Sequence, residues 1–96
     1  MANNIFEQFD EAYSLWSILD KVGKEMQLER LWQQTSTAYN YLFHVYQSRG
    51  YLTPQEANYA NQISQMLKAL QSQKMKVDRD LSNEMMNHLV KMIVKQ

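Results

Sequence analysis

Cysteine is absent from the 96 residues of this chain, which removes together a disulfide framework, a thiolate metal site and a thiol nucleophile. Glycine occurs twice and proline once, so few positions force a helix to stop, and none lies between Gln55 and Gln96. No apolar run approaches the roughly 18 residues of a membrane span, and no basic start leading into an apolar run marks a signal peptide. The opening Met1-Ala2-Asn3-Asn4 reads as an ordinary cytoplasmic start, so a cytoplasmic protein with no membrane partner is expected. Charge of one sign is missing as well: ten basic residues balance ten acidic ones. Residues 1–53 hold 4 basic and 6 acidic side chains and residues 54–96 hold 6 and 4, a mild skew that falls short of a nucleic-acid binder's basic balance.

What is present is apolar and aromatic. Hydrophobic residues make up 45% of the chain and aromatic ones 11%, enough to fold and too much for disorder. A chain of this length makes a single domain, residues 1–96, which buries only roughly 60 to 65% of the surface its unfolded form exposes. Strand-type alternation, internal repeats and low-complexity tracts are missing, so an all-α fold is expected.

The organising stretch runs from Tyr39 to Glu56. It holds the densest aromatic run, then Gly50, where a helix would leave through a left-handed residue. Thr53-Pro54-Gln55-Glu56 follows, a capping box with proline at the first helical position. Leu52 and Ala57 stand where a hydrophobic staple would.

Upstream, Ile5, Phe9, Ala12, Trp16 and Leu19 alternate spacings of four and three, which predicts one helix face from Asn4 to about Val22. Phe6, Tyr13, Leu15, Ile18 and Val22 widen that face. Gly23 is the only breaker before Gly50, and a corner is expected there. Residues 24–49 then read as a second helix with Leu28, Leu31, Trp32, Thr35, Ala38, Tyr39, Leu42 and Phe43 on one face, and Thr35-Ser36-Thr37 as a stretch that could bend it.

After Pro54, the residues Ala57, Ala60, Ile63, Met66, Leu67 and Leu70 keep helical spacing. Between Leu70 and Leu81 the face turns polar, and Asp78 or Asp80 could cap a new helix. Two architectures follow: a small antiparallel bundle of about four helices, or one long helix over residues 54–95. The four-helix form is favoured by the usual helix length of about 10 to 14 residues.

Chemistry finds little support. Glu84 and His88 could share a metal, but a site needs at least three ligands, and an ordinary surface pair at i,i+4 spacing explains them. Asp10, Glu11 and Asp20 lie on a solvent-facing arc where nothing raises a carboxyl pKa. No serine sits in a strained strand-to-helix turn. No catalytic residue, metal or cofactor is therefore assigned, and the chain is read as not an enzyme.

Two surpluses point to protein binding instead. Tyr41 and Tyr59 lie at the margins of the expected faces, where amphipathic tyrosines favour interfaces. From Leu81 onward the apolar residues cover about half the helix circumference, with Leu81 and Leu89 continuing the inner stripe and Met86 and Val90 on the outer side. Methionine, unbranched and polarizable, suits adaptable contacts.

Tyr41, Tyr59, Met85, Met86, Val90 and Val94 are the candidate partner-binding residues. The function expected is a small non-catalytic interaction module, a regulator, adaptor or inhibitor, that binds a partner protein or itself, as a homodimer, through an apolar helix face. The alternative is a helix-turn-helix-like DNA-binding regulator, suggested by the Leu52–Glu56 opening and the lysines and arginine that follow it. Nucleic acid is the less favoured partner because the last helix presents methionine and valine.

Overall fold

Asn4 caps the first helix: its side-chain oxygen accepts the N–H groups of Phe6 at 2.8 Å and Glu7 at 3.0 Å, two donors that an uncapped helix start would leave unpaired. The computed structural model describes residues 4–94. Within them the chain forms four α-helices and no strand: α1 (Ile5–Ser17), α2 (Lys21–Arg49), α3 (Pro54–Ser72) and α4 (Arg79–Val94). Packing groups the chain into two compact units, Met1–Ala38 and Tyr39–Gln96. Helix α2 runs through both.

In the first unit, α1 buries Phe9, Ala12 and Trp16, and the Tyr13 ring lies between the other two aromatics, 5.8 Å from Phe9 and 6.3 Å from Trp16. The corner falls at Ile18–Asp20, before Gly23, which lies inside α2. Asp20 supplies the reason. Its carboxylate accepts the Gly23 N–H at 2.9 Å, so a capping side chain, and not the glycine, fixes where α2 starts. Gly23 serves close packing: a methyl group there would stand 3.0 Å from Leu19 Cβ and 3.3 Å from the Asp20 carboxylate.

Lys24 lays its ammonium 4.8 Å from the Trp16 ring centroid, a cation–π contact between α2 and α1. Along α2 the buried residues Leu31, Thr35 and Ala38 form one stripe. The Thr-Ser-Thr run is helical, and the hydroxyls of Thr35 and Thr37 donate to the carbonyls of Leu31 and Gln33 one turn back, at 2.7 and 3.0 Å, which gives each a partner within the helix.

The second unit contains the corner expected from sequence. Gly50 takes φ +88° and its N–H donates to Tyr46 O at 2.7 Å. Thr53 and Glu56 then close the capping box reciprocally: the Thr53 N–H donates to Glu56 Oε1 at 2.9 Å and the Glu56 N–H donates to Thr53 Oγ1 at 3.2 Å. Arg49 ties both sides of the corner by pairing with the Glu56 carboxylate and lying 4.8 Å over the Tyr51 ring.

Helix α3 ends by a different device. Lys74 adopts φ +59°, the Met75 N–H reaches back to Leu70 O at 2.9 Å, and the Lys74 N–H reaches Gln71 O at 3.0 Å. This pair of bonds is a Schellman motif, usually built on glycine. Asp78 opens α4 by accepting the Leu81 N–H at 3.0 Å. Residues 54–94 are thus two helices rather than one, and α3 packs against α4. Ile63, Met66, Leu67 and Leu70 of α3 and Met85, Leu89 and Met92 of α4 are buried, each stabilising the fold by roughly 1.5 to 3 kcal/mol through area removed from water.

Candidate protein-interaction surface

One turn of helix advances about 100° per residue, and on α4 that spacing gathers Ser82, Met85, Leu89 and Met92 into the buried stripe. Met86 and Ile93, both half-buried, border it on one side. Val90 and Val94 continue beyond them into solvent, 50% and 75% exposed. Met86, Val90 and Val94 therefore form an i,i+4 ladder down one flank of α4, with a polar end at Arg79 and Asn83. Between that polar end and Val94 the flank presents one thioether and two branched aliphatic side chains, apolar surface that gains free energy when covered.

The opposite flank is occupied. His88 is half-buried, its Nδ1 lies 2.7 Å from the Tyr39 hydroxyl, and its ring stacks on Phe43 with centroids 5.6 Å apart. Burial, followed by the Glu84 carboxylate, holds the Tyr39 phenol above its ordinary pKa. His88 is thus a packed, hydrogen-bonded side chain rather than half of a surface pair with Glu84. Among the described residues no group of three or more His, Asp or Glu side chains is placed to hold a metal ion.

Of the residues singled out from sequence, Met86, Val90 and Val94 share this ladder. Met85 is 3% exposed and belongs to the inner stripe, because it lies three and seven positions from Ser82 and Met92 on the buried side. Leu81, expected beside Leu89 on that stripe, is 41% exposed; Ser82 takes the inward position instead. Tyr41 is exposed on α2 and Tyr59 half-buried on α3, and both already make interactions of their own.

A second apolar patch lies in the first unit. Leu15, Ile18, Val22 and Met26 are exposed, the last three by 79%, 64% and 76%. Val22 and Met26 stand about 150° or more around α2 from the Leu31–Thr35–Ala38 stripe. The patch includes Ile18 and Val22, expected on the inner face of a first helix reaching Val22; α1 ends at Ser17 instead, which leaves both outside that face. Asp20, a capping residue followed by a helical run, was the signal that would have found it.

No helix among the described residues is long and apolar enough to cross a membrane. Comparison with protein-family models, with curated proteins and with solved structures finds no match for the chain in any of the three.

Proposed function

We propose that this chain is a small non-catalytic interaction module, a regulator, adaptor or inhibitor, that engages a partner protein or a second copy of itself through the outer flank of α4. The observation that carries the reading is the Met86–Val90–Val94 ladder, half-buried at Met86 and exposed at Val90 and Val94, on a helix whose inner stripe is already filled. A preformed helix face of this kind binds by laying its apolar side chains against another helix or groove, and its rigidity keeps the ordering cost of association low.

The test compares two neighbours on α4. Val90→Asp leaves the circular dichroism spectrum unchanged and abolishes association, whereas Leu89→Asp, at a fully buried position, unfolds the chain. A Val90→Asp protein that associates like the wild type would move the interface elsewhere.

A second reading rests on a separate feature of α4. Arg79, Asn83, Asn87 and Lys91 are exposed at spacings of four, and these residue types contact phosphates and base edges. The exposed carboxylates of Asp80 and Glu84 on the same helix oppose a phosphate backbone, and Asn83 already accepts a hydrogen bond from Gln71 at 2.9 Å. Duplex binding that weakens steeply with salt would favour this reading over protein recognition.

A further inference from the structure

We draw no further inference here: the strongest candidate, the exposed apolar patch of Ile18, Val22 and Met26 at the α1–α2 corner, carries none because nothing in the structure shows what covers it.

Discussion

The Tyr39 hydroxyl and His88 Nδ1 stand 2.7 Å apart although 49 positions separate them in sequence, and this contact fastens the last part of α2 to α4. The two rings lie nearly parallel, 13° apart, with Phe43 stacked on the same imidazole. Tyr39→Phe keeps the stacking and removes the hydroxyl. It should cost about 1 kcal/mol, the usual net value of one hydrogen bond, read as a shift of the urea midpoint at constant slope.

The same phenol makes an alkaline prediction. Its folded pKa is raised by burial first and by Glu84 second, so the native state holds the proton more tightly than the unfolded chain does. The stability this contributes is fully present below the unfolded value of about 10 and is lost as pH rises through the folded value. Wild-type stability should therefore fall more steeply than that of Tyr39→Phe above pH 10, measured by denaturant titration across that range.

At the other end of the scale, Glu56 carries an acid prediction. Burial pushes its carboxyl up, but the Thr53 N–H, the Arg49 guanidinium and the Thr53 hydroxyl favour the ionised form and together hold it below its usual range. A depressed carboxyl contributes stability above its unfolded pKa, about 4.3, and loses it as pH falls toward the folded value. Glu56→Gln should flatten the stability curve below about pH 5. Thr53→Ala, which breaks the other half of the box, should cost about 1 kcal/mol at neutral pH.

Two residues with positive φ should respond with opposite signs. Gly50→Ala forces a Cβ into a left-handed conformation in open space, so it destabilises by about 1 kcal/mol from backbone strain alone. Lys74→Gly relieves the same strain and should stabilise by a few tenths to about 1 kcal/mol. Thermal melts of the two variants check the pair; a loss of stability in Lys74→Gly would mean that the α3–α4 turn does not rest on that conformation.

Ser82 offers a test of the α3–α4 packing. Its hydroxyl is buried without a hydrogen-bond partner among the described residues, and removing an unsatisfied buried polar group is neutral or favourable. Ser82→Ala should leave the urea midpoint unchanged or raise it, whereas truncation of Leu89, buried on the same stripe of α4, to alanine should cost about 2 to 5 kcal/mol.

Local signals in the sequence were legible wherever the residue that decides a turn is also the one whose chemistry advertises it. Gly50, Thr53, Pro54 and Glu56 act as their types suggest, and Asp78 caps α4 as its place after a polar gap suggests. Lys74 ends α3 in a conformation that lysine rarely takes, so no glycine marked the turn. The corner before α2 falls three residues ahead of Gly23, because the Asp20 carboxylate that caps α2, and not the glycine, sets where the helix starts. For the surface, the excess of apolar residues on α4 could be counted from sequence. Which of them face inward could not, because a stripe as wide as residues 81–94 admits more than one centre: Ser82 displaced Leu81, and Met85 went in. The Tyr39–His88 contact joins distant segments and has no periodicity to announce it.

Sedimentation equilibrium of the wild-type chain and of Val90→Asp, at tens of micromolar and neutral pH, tests most directly whether the outer flank of α4 is a binding surface. The wild type is expected to associate and Val90→Asp to sediment as a folded monomer with unchanged helicity. A wild-type monomer across that range, or a Val90→Asp protein that associates as strongly as the wild type, would contradict self-association through α4.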